Sequence, residues 1–457
     1  MRTTPSPESE DRSRNPRPSV PLRNIRFHAL PFFLSLAPLL AWSGPAVAQD
    51  RGTDLDTTQV GRFDMGKMWT FENAPGEYFT ETYGFTADQA WFDTARMAAL
   101  RIPGCSAAFV SPSGLVVTNH HCARGAVASV TREGESLLDD GFYASAMEDE
   151  RPIPRYYVDQ LIAAQDVSEE VFEATDRIRD EAAAEAARDE TIARIRERLE
   201  GEHETVEGTI RVEITALYNG GRYSAYVYRR YADVRLVAAA ELQLGSFGGD
   251  PDNFTYPRYA LDFAFLRVYG SDGEPLKNQH WFNWSQRGVE EDDVVFVIGN
   301  PGPTNRLQTL AQLEFQRDVL VPAQKSFLGT RLEAMKAFYA ENRAVGDAMD
   351  LRNRMFGLSN SLKAYTGRLE ALKDPVIMTR KADGERLFRE AIERDAELNR
   401  RYGGILSRVA EIQAQKRTVG PELAAFAGLG RGSTESSLLL RGLSAANLLM
   451  AEQMGAP

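Results

Sequence analysis

Two kinds of periodicity divide the chain. Between residues 209 and 239, "TIRVEITALYNGGRYSAYVYRRYADVRLVAA" alternates apolar and polar positions on both sides of "NGG", which predicts a β-hairpin around a tight turn. "GCSAAFV" and "GLVVTNHH" are shorter β-rich runs joined by "SPSG", a turn composition. "LDFAFLRVYG" (261–270) and "DVVFVIGNPG" (293–302) predict further strands. Against these stand helical stretches. Residues 166–202, "DVSEEVFEATDRIRDEAAAEAARDETIARIRERLEGE", carry Ser168 as a cap, abundant Ala, Glu and Arg, and opposite charges four residues apart. From about 310 to 415 the pattern is helical again, with "LQTLAQLEFQRDVLVP" and "GERLFREAIERDAELNRRYGGILSRVAEIQAQ" as amphipathic examples. Strands and helices are thus segregated along the chain. That order predicts a β-barrel with a helical excursion and a helical appendage, not a doubly wound α/β sheet.

The chain's 457 residues suffice for two or three domains. A net charge of −12 argues against a nucleic-acid partner, which would need a basic face for the phosphates. No GxGxxG or GxxxxGK[ST] follows a strand, so nucleotide binding has no support. At the N-terminus, arginines at positions 2, 12, 14, 17, 23 and 26 precede the apolar run "ALPFFLSLAPLLAW" and then "AVAQD". A basic flank, a short apolar segment and small residues at Ala46 and Ala48 predict an export signal over residues 1–48, cleaved after Ala48; an uncleaved anchor is the alternative. The remaining protein is then expected in the periplasm or outside the cell, with no membrane association after cleavage. Export in turn favours a disulfide between Cys105 and Cys122, the two cysteines of the chain, contributing roughly 3 kcal/mol for a loop of that length.

Both cysteines fall in "GCSAAFVSPSGLVVTNHHC" (104–122), together with His120 and His121. Three readings compete there. A metal site would use both imidazoles and a thiolate, yet adjacent side chains on an extended strand face opposite ways, and no HExxH or CxxC supplies further ligands. Plain packing is the second. The third is a general base, since a histidine at a strand end beside a disulfide has the fixed position that deprotonating a serine demands. A hairpin from Cys105 through "SPSG" and back to Cys122 would be clamped at its open end. This resembles the trypsin-like serine peptidases, in which the catalytic histidine directly precedes a half-cystine. By that match His121 is the base, and His120 faces away to pack or hydrogen-bond. The carboxylate behind the imidazole is expected from Asp262, which opens "LDFAFLRVY"; Asp250 and Asp252 in the loop "GGDPDNF" are the competitors.

"SFGGDPDNFTYPRYALDFAFLRVY", with "GCSAAFVSPSGLVVTNHHC" and "FVIGNPGPTNR", resembles the bacterial dipeptidyl-peptidase 7 and dipeptidyl-peptidase 11 family of exported serine exopeptidases. The likeness runs from about Gly66 into the helical block. It implies a chymotrypsin-like β-barrel peptidase domain with a largely helical domain capping the active site. It also implies His121 as base, Asp262 as its partner, and a clamp for the substrate's free amine at Asn253 and Phe254, with Asn360 in "FGLSNSLKAYTG" as a third contributor. An amide oxygen accepting from an ammonium beside an aromatic wall suits that task. The sequence departs from the family pattern at Phe254, Tyr256, Leu261 and Asn300. The family's GNSGSP segment, which bears the nucleophile, has no counterpart; Ser433 in "GLGRGSTESS" is the nearest substitute and lacks the glycine that shapes an oxyanion hole.

The expected organisation is therefore a signal at 1–48, a peptidase domain at 49–308 with the 166–202 excursion, and a helical cap at 309–457 that is incomplete at its C-terminal end. The expected function is a serine-type dipeptidyl aminopeptidase whose serine lies outside this chain, acting without metal or organic cofactor on peptides with a free N-terminus. A homodimer is compatible with the resemblance. The rival is a secreted peptide-binding protein that keeps the amine clamp and has no nucleophile. An in-frame G-[DN]-S-G beyond codon 457 would separate the two.

Overall fold

The computed structural model describes residues 55–427 apart from 65, 204, 206, 246–258, 303 and 350. Ten strands form one antiparallel sheet. They are β1 (Ala99–Ile102), β2 (Cys105–Phe109), β3 (Leu115–Thr118), β4 (Phe142–Tyr143), β5 (Arg151–Pro152), β6 (Val158–Asp166), β7 (Thr209–Leu217), β8 (Arg222–Tyr231), β9 (Val234–Ala239) and β10 (Ala264–Val268). Spatially they run β4-β9-β10-β3-β2-β1-β6-β8-β7, with β5 beside β9.

Helices α1 (Gly76–Tyr83), α2 (Gln89–Ala98), α3 (His120–Val130), α4 (Leu137–Asp140), α5 (Ser168–Thr175), α6 (Glu181–Glu202) and α7 (Leu242–Gly245) are interspersed with the strands. From Leu310 onward the described chain is helical: α8 (Leu310–Phe315), α9 (Val321–Glu341), α10 (Arg343–Ala348), α11 (Leu351–Lys373), α12 (Pro375–Arg394), α13 (Ala396–Tyr402) and α14 (Ile405–Ala427). The expected combination of an antiparallel sheet with a following helical region is present. Among the described residues no helix is long and apolar enough to cross a membrane.

The alternating segment 209–239 folds as its pattern requires, with β7 paired to β8 in continuous register from Thr209↔Arg230 to Leu217↔Arg222. The helical excursion is two helices. It breaks after Thr175, and Asp180 caps the second by accepting from the Ala183 N–H at 2.8 Å. Its apolar stripe packs on the sheet: Val171, Ile195 and Leu199 are buried with Val212, Tyr223 and Val227 of β7 and β8. A second core joins Leu100, Ile102, Phe109, Val116, Leu236 and Leu266 with Ala123 and Val127 of α3.

The "SPSG" turn requires its glycine. Gly114 has φ +67°, and a Cβ there would stand 2.5 Å from the Val268 carbonyl oxygen.

Residues 293–302 correct the sequence reading, for they form no strand. Among the described residues this segment is paired with no strand of the sheet, and Asn300 meets β2 through the Ser106 side chain instead. The side chain of Phe296 instead packs on the rings of Phe79, Phe85 and Trp91 at 5.1, 5.1 and 4.9 Å, while Val295 and Val297 are exposed. An apolar run alone cannot distinguish a paired strand from an extended segment anchored by one aromatic ring.

Candidate active site

The chain reaches the site through β3. Thr118 ends the strand with its hydroxyl donated to the Ser106 carbonyl at 2.9 Å, Asn119 stays extended, and α3 starts at His120. The two histidines therefore do not alternate across a strand, as the sequence suggested. They open a helix, where successive side chains diverge by about 100°. One points inward and the other outward. His120 is 1% exposed, whereas the His121 side chain is 39% exposed. Cys122 follows in the same helical turn and is bonded to Cys105 at the start of β2, with an S–S distance of 1.97 Å and Cα atoms 6.2 Å apart. The expected pairing is present, but it ties a helix rather than a returning strand to β2.

Asp262 lies just before β10, which pairs with β3 in the register Ala264↔Thr118 to Arg267↔Leu115. That pairing brings Asp262 to the start of α3. Its side chain is 7% exposed. Its carboxylate accepts from the His121 backbone N–H at 3.0 Å and lies 3.0 and 2.9 Å from His121 Nδ1. Asn119 Nδ2 donates to the same carboxylate and to the Asp262 carbonyl, both at 3.2 Å. The helix start has unpaired N–H groups and a partial positive charge, and Asp262 answers both. Asn119, in the capping position, spends its side chain on Asp262 and makes no cap bond of its own.

A carboxylate at Nδ1 fixes the proton of the neutral ring there and leaves the lone pair on Nε2. This arrangement can take a proton from a hydroxyl and hold the resulting imidazolium beside an anion. The far end of β10 is secured by Glu150, which is buried and accepts from Arg267 Nε at 2.9 Å and from the Tyr269 hydroxyl at 2.8 Å. Arg267 also donates to the Ser113 carbonyl at 2.9 Å, tying β10 to the "SPSG" turn. The "RVY" of the sequence is thus an anchor for the strand that carries Asp262.

Asn253 and Phe254, and the competing Asp250 and Asp252, lie outside the described residues, as do Ser433 and the 1–48 segment. Asn360 is on α11, and among the described residues its buried Oδ1 has no hydrogen-bond partner. One turn earlier on α11, Phe356 places its ring 6.0 Å from the Arg124 guanidinium, one turn beyond His121 on α3. Asn360 therefore shares the helix face that reaches α3. Asn300 sits against β1 and β2, its N–H donating to Ser106 Oγ at 2.7 Å.

Among the described residues, Cys105, His121 and Cys122 bring three metal-ligand atoms within 4.8 Å of one another. Both sulfurs are consumed by the disulfide, so no thiolate is there to coordinate an ion. Burial pushes the His120 imidazole below its ordinary pKa. Sequence reasoning missed Asn119. Its type, a capping residue directly before the histidine pair, was the available signal.

A family model described as Peptidase S46 matches residues 63–451. Dipeptidyl-peptidase 7 of Capnocytophaga gingivalis is 30% identical over 318 residues, covering 67% of this chain and 43% of its own length. An Asp/Glu-specific dipeptidyl-peptidase of Shewanella putrefaciens is 32% identical over 309 residues, 65% of this chain and 41% of the relative. Among solved structures, DPP11 of Porphyromonas endodontalis is similar in fold, with a TM-score of 0.66 at 20% identity over 80% of this chain and 54% of that one. The same protein in complex with substrate gives a TM-score of 0.65 at 21% identity, over 80% and 55% of the two chains. The chain spans less than half the length of the curated relatives it matches.

Proposed function

The chain belongs to the peptidase S46 family, and from that premise we propose that it carries the base of a serine-type dipeptidyl aminopeptidase exported to the periplasm or beyond. Asp262 holds the Nδ1–H of His121. His121 Nε2 takes the hydroxyl proton of a serine that is not among the residues of this chain, while the oxygen attacks the peptide carbonyl two residues from the free N-terminus. The imidazolium returns that proton to the leaving amine, and water then cleaves the acyl-enzyme by the same exchange. Asn253, Phe254 and Asn360 are assigned to the substrate's ammonium group, and the unpartnered Oδ1 of Asn360 is an acceptor suited to it. No metal or organic cofactor is needed for these steps.

The observation that carries the reading is the contact between His121 Nδ1 and Asp262 at 2.9 Å, reinforced by the His121 N–H on the same carboxylate. The experiment is hydrolysis of dipeptidyl fluorogenic substrates, free and N-acetylated, by protein expressed from the whole reading frame. Cleavage of the free substrates alone is expected, with His121→Ala lowering kcat on the order of 10^6-fold. Turnover by His121→Ala equal to that of the parent refutes the base assignment.

A further inference from the structure

His120 adjoins the proposed base and takes no part in the reaction as written. Its ring is buried, with Nε2 2.9 Å from the Ala240 carbonyl oxygen. A carbonyl only accepts, so Nε2 carries the hydrogen, and the neutral ring leaves a lone pair on Nδ1. Among the described residues that buried nitrogen has no partner. A leucine or phenylalanine would spare the stranded Nδ1 but would leave the Ala240 carbonyl without this donor, so the hydrogen bond, and not packing alone, accounts for histidine here.

The ring makes a second contact. A Cβ built on Gly245 would meet the His120 ring at 2.5 to 2.6 Å from Cγ, Cδ2 and Nδ1, so this stretch of backbone is laid directly on the imidazole. His120 therefore holds the turn 240–245 at both ends, by a hydrogen bond to Ala240 and by contact with Gly245. From inside that turn the Leu244 carbonyl accepts the Leu261 N–H at 2.8 Å. Leu261 immediately precedes Asp262, and its own carbonyl accepts from Phe263 N–H at 2.8 Å, which bends the chain at Asp262.

We infer that His120 is a positioning residue for Asp262: it fixes the 240–245 turn, the turn fixes Leu261, and Leu261 sets the backbone from which the carboxylate reaches His121. The inference rests on the assignment of His121 and Asp262 as base and partner. Asn119 holds Asp262 directly and His120 holds it through the turn, so both residues before His121 serve the same carboxylate. Among the described residues, the ionisable groups that act on the His120 ring are Asp262, Arg124 and His121. Burial keeps the ring neutral, so His120 itself adds no positive charge beside His121 when that becomes imidazolium.

The test uses the full 457-residue protein with labelled histidine. The far-downfield proton of His121 Nδ1–H and the exchange rate of the Leu261 amide are read in the parent, His120→Phe and His120→Gln. His120→Phe keeps a ring but cannot donate to Ala240. It is expected to lose or broaden the His121 resonance and to speed Leu261 exchange about tenfold. His120→Gln, whose amide can donate to Ala240, is expected to retain more of both. A folded His120→Phe with both readings unchanged overturns the inference. Should that variant not fold, the parent decides: His120 found as the Nδ1–H tautomer, or more than half charged at pH 6.5, overturns it too. A parent spectrum without any resonance that Asp262→Asn removes counts against the base assignment instead, and Leu261 exchange then judges His120 alone.

Discussion

Removing the disulfide, as Cys105→Ala with Cys122→Ala, should destabilise the protein without dismantling the site. The bond closes a loop with a sequence separation of 17, for which chain entropy gives about 3 kcal/mol. The rest of the hairpin is held independently. β2 pairs with β3 from Ala107↔Thr118 to Phe109↔Val116, β3 pairs with β10, and α3 buries Ala123, Ala126 and Val127. The start of α3 is also fastened by Asp262 and Asn119. Denaturant unfolding followed by circular dichroism, with hydrogen exchange on β2 and β3, should show about 3 kcal/mol lost and an m-value no lower than the parent's, because the uncrosslinked unfolded chain exposes at least as much surface. The His121 Nδ1–H resonance should persist. A loss below about 1 kcal/mol would mean that the unfolded chain gains little freedom from the cut, contrary to the chain-entropy argument. Disappearance of the His121 resonance in a folded double variant would show that the sulfur bridge, not the Asp262 carboxylate, sets the base's position.

Four further outcomes follow from other groups. Asp159, whose side chain is fully buried, accepts from Arg230 Nε at 2.7 Å and Arg101 Nη2 at 2.9 Å, so Asp159→Ala should cost about 3 kcal/mol in chemical denaturation; Arg101 keeps Glu213, which holds the loss toward the lower end. Asn119→Ala should leave the melting temperature within a few degrees but weaken the His121 Nδ1–H resonance, since it removes two bonds to Asp262 and no cap bond. Because the folded pKa of His120 lies below its unfolded value, the unfolded chain binds the extra proton first. Stability should therefore fall as pH drops from about 6.5, and His120→Gln should flatten that slope in denaturation midpoints taken between pH 7.5 and 5.5. Glu135, held at about 2 by Arg151, acts in a separate window: its contribution is complete above about 4.5 and is lost only as pH falls toward 2.

The parts of this molecule that were legible beforehand are those with local causes. Alternation around "NGG" predicts β7 and β8, and an aspartate opening an apolar strand predicts a carboxylate near β3. What stayed hidden depends on what faces what. The apolar content of 293–302 suggested a strand, but the pairing edge it would need is not a property of the segment. "VTNHHC" reads as the continuation of a strand because its composition is β-rich. The helix begins there because Asp262, some 140 residues later in sequence, supplies the acceptor for its first turn. The Arg101–Asp159–Arg230 group joins β1, β6 and β8, and no short window contains it.

The dual use of Asp262 has a mechanical consequence. One carboxylate takes both the backbone and the side-chain nitrogen of His121, so the helix start and the imidazole cannot shift relative to each other without breaking a charge-assisted bond. The carboxylate in turn is carried by β10, whose far end is locked to the buried Glu150 and whose near end is tied through Leu261 to the turn under His120. Rotation of the ring would break its bonds to a carboxylate carried on a strand in the middle of the sheet, with β9 on one side and β3 on the other. If His121 is the base, it is held stiffly by this arrangement. The helical region meets α3 at the Phe356–Arg124 contact, one turn beyond His121. If Asn360 contributes to the proposed amine clamp, its substitution should weaken binding of a substrate's free amine while leaving the His121 resonance where it was, because the His121–Asp262 contacts do not involve α11.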